Sequence, residues 1–94
     1  DEYLAVFDLL VKNDLTTRQR NQVKEVAKEM LKTLKEKRLN LHRWHESLQI
    51  TASIKTTILD KLYRLPEEQY PETELPLYRD RVYQYVHSRY AVGA

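Results

Sequence analysis

Apolar residues recur at every third or fourth position along three long stretches of the chain. This is the spacing of residues that share one face of an α-helix. The three sets are Val23, Val26, Ala27, Met30, Leu31 and Leu34; Leu48, Ala52, Ile58, Leu59 and Leu62; and Tyr78, Val82, Tyr85, Val86 and Tyr90. Together with an apolar segment near the start, they predict an all-α fold, a small antiparallel bundle of three long helices plus a short N-terminal helix.

Local start and stop signals set the bounds of the first two long helices. Thr16 and Gln19 have the spacing of a capping box and predict a helix over about 17–37. The next helix is predicted over about 43–64, because Pro66 cannot donate to the preceding turn. Its apolar residues form two stripes, which indicates burial over a wide arc. The stripes are Leu48, Ala52, Leu59 and Leu62, and Ile50, Ile54 and Ile58.

The remaining segments are shorter or more polar. Residues 2–12 are apolar nearly all round and are predicted to form the short N-terminal helix. Residues 65–74 are polar and interrupted by proline, which predicts a loop. The last helix is predicted to carry Pro76 in its first turn and to end near Tyr90, with residues 91–94 as a frayed end.

Length and composition narrow the class of protein. A chain of 94 residues is enough for one small domain and too short for two, so residues 1–94 are predicted to form a single domain. The formal charge of +2 is too small for the basic stripe of an autonomous duplex binder. The lack of cysteine favours an intracellular, cytoplasmic protein. Because the chain begins with Asp1 rather than methionine, we interpret it as a piece of a longer protein.

Catalytic and membrane functions find no support in the pattern. The only glycine is Gly93, so no glycine-rich phosphate loop exists, and no Ser or Cys nucleophile has a recognisable setting. His42 and His45 stand three residues apart with Glu46 nearby, but no third metal ligand is obvious, and exposed histidines near a helix end are the preferred interpretation. No apolar run reaches the roughly 20 residues needed to cross a bilayer, so no membrane partner is expected. We expect no catalytic residue, cofactor or metal in this chain.

Charged residues of the helix over 17–37 are interpreted as a solvated face. Glu29 and Lys32, for example, stand three residues apart, where a weak ion pair forms along one helix.

The last helix carries the candidate contact residues. Tyrosine and arginine are enriched at protein interfaces, although tyrosine can also fill a core, and aromatic residues interleaved with arginine can also grip nucleic acid. The candidates for contact with a protein partner, or for support of that contact, are Arg79, Arg81, Tyr83, Arg89 and Trp44.

A second candidate site is basic and lies between the second and third predicted helices. Its residues, Lys35, Lys37, Arg38 and Arg43, could lie on backbone phosphates of a nucleic acid. The alternative is that they only complement the helix dipole and add solubility.

The order of residues resembles a known family. A helix from Leu15-Thr16 through Val23-Lys24-Glu25-Val26-Ala27 leads into Leu39-Asn40-Leu41 and Trp44. A further helix then stops at Leu65-Pro66, and the chain closes on a tyrosine-rich helix with Val82-Tyr83 and Val86. This order is similar to the helical C-terminal region of the restriction (R) subunit of type I restriction–modification enzymes. The similarity covers about four-fifths of the chain and rests mostly on packing residues.

The resemblance implies a function for the parent protein. Such a parent would be a site-specific deoxyribonuclease that translocates DNA using ATP and Mg²⁺, with its nuclease and motor motifs upstream of this chain. The C-terminal helices would then be a noncatalytic assembly domain that docks the R subunit onto the methyltransferase and specificity subunits, with DNA bound through the complex. A helical nucleic-acid-binding module and a small standalone adaptor are the alternatives.

Overall fold

The computed structural model describes residues 2–37, 39 and 43–90, and this part of the chain is helical and contains no strand. Four α-helices follow one another: α1 (Glu2–Leu10), α2 (Thr17–Lys37), α3 (Leu48–Leu62) and α4 (Leu75–Tyr90). Short 3-10 turns occupy Trp44–Glu46 and Glu72–Glu74. The prediction of an all-helical fold is therefore confirmed. The Cα radius of gyration is 13.1 Å, which is close to the value of about 13 Å expected for a compact chain of this length.

Each α-helix packs against two others. α1 contacts α2 and α4, and α3 also contacts α2 and α4. One hydrophobic cluster fills the space between all four helices. This arrangement lets short amphipathic helices bury their apolar faces against each other, which is where most helix stability in proteins comes from.

α2 follows the prediction from its capping box to its last turn. The backbone N–H of Gln19 donates to Thr16 Oγ1 at 3.1 Å, and the backbone N–H of Thr16 donates to Gln19 Oε1 at 2.9 Å. These two reciprocal bonds satisfy donors that a helix start leaves free. All six predicted core residues of this helix are buried.

α3 begins later than predicted. Arg43 takes a left-handed conformation with φ of 53°, so the chain makes a separate 3-10 turn before α3 instead of continuing as one helix from residue 43. Ser47 then caps α3, because its backbone is extended and its Oγ accepts a hydrogen bond from the N–H of Ile50 at 3.2 Å.

The two predicted stripes of α3 differ in how much of their length is buried. Ile54 and Ile58 are completely buried. Leu48 is 89% exposed and Ala52 is exposed as well, so the prediction that these two residues pack inside is wrong. Leu62 of the same stripe is buried and Leu59 packs against the core, so this stripe is covered only in the second half of α3.

The segment between α3 and α4 is more buried than the predicted polar loop. Tyr70 is 2% exposed, and its hydroxyl donates to the backbone carbonyl of Leu10 at the end of α1. Lys12 donates to the carbonyl of Gln69 and lies 3.2 Å from Glu74 Oε1. The loop is therefore fixed to the end of α1.

Glu29 forms its ion pairs between helices. Nη1 of Arg64 lies 3.0 Å from both carboxylate oxygens of Glu29, and Lys61 Nζ lies 3.7 Å from Oε1. The predicted pairing of Glu29 along α2 with Lys32 is not what the structure shows. The hydrogen bond and charge of Arg64 lower the pKa of Glu29, and they connect α2 to the end of α3.

Candidate functional site

The four predicted contact residues of α4 do not share one face. Tyr78, Val82 and Val86 form the buried stripe of this helix, and the candidates fall on either side of it. Each residue of an α-helix is rotated by about 100° from the one before it. Arg79 and Tyr83 are therefore neighbours on one side of the stripe, four residues apart, whereas Arg81 lies on the other side.

Tyr83 lies at the centre of the side that faces α3. It is half-buried, and Nζ of Lys55 lies 4.7 Å from the centroid of its ring, a cation–π distance. His87, one turn further along α4, has its ring centroid 6.1 Å from that of Tyr83. Burial raises the pKa of the Tyr83 phenol.

His87 connects α4 to the 3-10 turn that precedes α3. Its ring centroid lies 6.3 Å from that of His45 and 6.2 Å from that of Trp44, in edge-on arrangements. These are ordinary distances and orientations for interacting aromatic rings. We call the surface formed by Arg79, Tyr83 and His87 of α4, Lys55 of α3 and His45 of the turn the aromatic ridge.

Trp44 lies in the core beneath the aromatic ridge and packs against its residues. It is completely buried, and its ring packs edge-on against that of His45 at a centroid distance of 5.8 Å. It is not exposed to a docking partner, so of the two roles predicted for it, contact or support, only support fits its position. Its Nε1 and the Nδ1 of His45 are buried and have no hydrogen-bond partner within the described ranges.

Arg81 and Arg89 lie apart from the aromatic ridge. The guanidinium of Arg81 is exposed and lies 5.7 Å from the centroid of the Tyr78 ring. Nη2 of Arg89 lies 3.8 Å from Oε1 of Glu2, at the end of α4 that meets α1. These two arginines therefore cannot join Arg79 and Tyr83 in one compact contact on the same side of the helix.

The basic candidates between α2 and α3 are partly neutralised. Nζ of Lys35 lies 2.5 Å from Oε2 of Glu2, and Nη1 of Arg43 lies 3.7 Å from Oε2 of Glu46. Lys37 is exposed in the last turn of α2. Arg38, like His42 of the metal hypothesis, lies outside the described residues.

Three ridge residues were not among the predicted contacts. His87 could have been found from the sequence, because it follows Tyr83 at the four-residue spacing that brings helical neighbours together. Lys55 and His45 could not, because they reach the ridge from α3 and from the 3-10 turn. Their approach depends on how the helices pack.

Among residues 2–37, 39 and 43–90, no group of three or more His, Asp or Glu side chains is arranged to hold a metal ion. In the same ranges, no helix combines the length and the apolar character that a membrane span requires. The ridge offers aromatic surface, hydrogen-bond donors and the positive charge of Lys55, whereas Nε of Arg79 already lies 3.1 Å from Oδ1 of Asp80.

Comparisons of the chain with protein-family models, with curated proteins and with solved structures gave no match.

Proposed function

We propose that this chain is a noncatalytic helical assembly domain, in which helices packed as an antiparallel bundle present the aromatic ridge to a protein partner. The observation that supports this most is the position of Tyr83. Its ring is half-buried between Lys55 and His87, with Arg79 one turn away, while the neighbouring Val82 and Val86 fill the core. Tyrosine and arginine on a rigid helix are typical of the few residues that dominate binding at interfaces.

The family resemblance gives this proposal a specific partner. In that form, the chain is the C-terminal assembly domain of a type I restriction enzyme R subunit, located in the cytoplasm, and it docks onto the methyltransferase and specificity subunits. Translocation and cleavage of DNA, with ATP and Mg²⁺, belong to the parent protein. The support is the order of packing residues from Leu15 to Tyr90 and the all-helical fold in which they pack.

Co-elution with the methyltransferase–specificity complex in size-exclusion chromatography tests the proposal. The R79A/Y83A variant removes two half-buried ridge residues of α4. We expect this variant to require about tenfold higher concentration for co-elution. The matched control, R18A/R20A, removes two exposed arginines at the start of α2 and is expected to leave co-elution unchanged. Equal behaviour of the two variants would count against docking through the ridge.

The alternative function, contact with backbone phosphates, has weaker support from the geometry. Lys35 and Arg43 each already lie beside a carboxylate, so binding a phosphate requires replacing an existing partner. Fluorescence anisotropy with a duplex at low salt separates the two functions. A phosphate-binding module gives saturable binding that weakens steeply as salt increases, with a slope that reports the number of phosphates contacted. If the chain is only an assembly domain, we expect no saturable binding of the duplex.

A further inference from the structure

A cavity of about 240 Å³ lies between the end of α3, the loop after it and the start of α4. Its floor is formed by Leu62, Leu65 and Leu75, all of which are buried. The rings of Tyr63 and Tyr70 also line it. Drug-sized ligands fill pockets of about 300–1,000 Å³, so this cavity is of a size for one long side chain.

Two carboxylates give the cavity a negative charge. Glu67 and Glu72 line it, both are exposed, and neither forms an ion pair with a described residue. Glu72 accepts a hydrogen bond at 3.2 Å from the hydroxyl of Tyr63. This donor is neutral, so it leaves the negative charge of Glu72 in place. The surrounding segment, residues 66–74, contains four glutamates and no lysine or arginine, in a chain whose formal charge is +2. The formal charge of this segment is therefore opposite to that of the chain, although Lys12 lies beside one of the four glutamates, Glu74.

The same loop already binds a cation of this chain. Nζ of Lys12 lies 4.8 Å from the centroid of the Tyr70 ring and 3.2 Å from Glu74 Oε1. Desolvation of Lys12 opposes its charge, but the hydrogen bond to Glu74 and nearby negative groups raise its pKa overall. A tyrosine ring next to a glutamate is therefore a cation-binding arrangement in this loop, and Tyr63 with Glu72 repeats it in the cavity.

We propose that this cavity binds an arginine side chain of a partner protein. Its methylenes would cover the leucine floor, and its guanidinium would lie against Tyr63 and donate to Glu67 and Glu72. Arginine fits better than lysine because its planar head can stack on a ring and donate to two carboxylates at once. The cavity lies at the start of α4, and Tyr83 follows Leu75 by eight residues, about 12 Å along the helix. Binding at the cavity can therefore be lost while the aromatic ridge still binds.

The probe for this proposal is the peptide acetyl-Gly-Arg-Gly-amide, and its matched control carries citrulline in place of arginine. Citrulline keeps the shape of the side chain and removes its charge. In ¹H–¹⁵N NMR titrations of the 94-residue chain at low ionic strength, we expect saturable shift changes confined to residues 62–75. The citrulline peptide is expected to bind about tenfold more weakly, since hydrogen bonds to charged groups contribute most of the affinity.

Variants of the chain locate the site. E67Q/E72Q keeps the shape of both side chains and is expected to weaken binding of the arginine peptide about tenfold. E68Q changes an exposed glutamate of the same loop that does not line the cavity, and is expected to stay within about twofold. Thermal melting of each variant verifies its fold. Equal affinity for the two peptides, equal losses in the two variants, or no saturable binding of the arginine peptide would each overturn the proposal.

Discussion

The hydroxyl of Tyr90 donates to Oε2 of Glu2 at 2.5 Å and so joins the end of α4 to the start of α1. The two residues are 88 positions apart in the chain. Lys35, in the last turn of α2, donates to the same oxygen at 2.5 Å. One carboxylate therefore connects the ends of three helices.

The Glu2 contact predicts how stability depends on pH. Hydrogen bonds from Lys35, and then from Tyr90, hold the pKa of Glu2 below its ordinary value of 4.5. A carboxyl group with a lowered pKa stabilises the fold at pH values above its unfolded pKa, and this contribution is lost as pH falls through the folded value. E2Q is expected to lower the melting temperature at pH 7. It is also expected to make the melting temperature less sensitive to acid between about pH 5 and 2, the range in which carboxyl groups titrate.

The control for this prediction is E25Q, which neutralises an exposed glutamate in the middle of α2. Thermal unfolding followed by circular dichroism over the same pH range measures both variants. A loss of acid sensitivity in E25Q equal to that in E2Q would show that the contact between the three helix ends is not its source.

Two leucines of α3 are expected to differ widely in how much the same substitution destabilises the fold. Leu62 is 1% exposed and belongs to the core, whereas Leu48 is 89% exposed. Truncating a buried leucine removes transferred apolar surface and leaves a cavity, so L62A is expected to lower the free energy of unfolding by about 2–5 kcal/mol. L48A is expected to change it by no more than about 0.5 kcal/mol. Urea denaturation measures both, and similar losses would mean that α3 faces the core with a different side.

Tyr70 predicts sensitivity to alkaline pH. Burial raises the pKa of its phenol, and its hydroxyl donates to the carbonyl of Leu10. A tyrosine with a raised pKa stabilises the fold below its unfolded pKa of about 10, and that stability is lost as pH rises beyond it, because the unfolded chain ionises first. Y70F is expected to cost about 1–3 kcal/mol at pH 7, because a buried acceptor loses its donor.

The alkaline part of this prediction has its own control. Y70F is expected to lose less of its stability than the wild type between pH 8 and 11, a range that brackets the ordinary tyrosine pKa of about 10. Y3F changes a half-buried tyrosine of α1 and is expected to follow the wild type. If Y70F and the wild type lose stability in parallel, ionisation of Tyr70 does not limit the fold at high pH.

The sequence predicted most reliably what is local. The capping box of Thr16 and Gln19 and the six apolar residues of α2 all follow from spacing along one helix, and the structure confirms them. Tyr70 was missed because the segment around it is rich in proline and glutamate, and its burial depends on its contact with Leu10 of α1. The exposure of Leu48 and Ala52 has the same origin, because the burial of a stripe depends on where the neighbouring helices pack against it.

The candidate site shows the same division. Arg79 and Tyr83 were predicted as contact residues and lie side by side in the structure. Arg81 was grouped with them, although a two-residue step on a helix already separates it from both. Lys55 carries no local signal at all, since it reaches the Tyr83 ring from another helix.

Hydroxyl-radical footprinting of the chain, free and bound to the methyltransferase–specificity complex, tests the central claim most directly. Tyr83 and His87 lie on the aromatic ridge and are expected to be labelled less in the complex, whereas Tyr3 on α1 is expected to keep its labelling. Unchanged labelling of Tyr83 and His87 in a complex that has formed would contradict docking through this ridge.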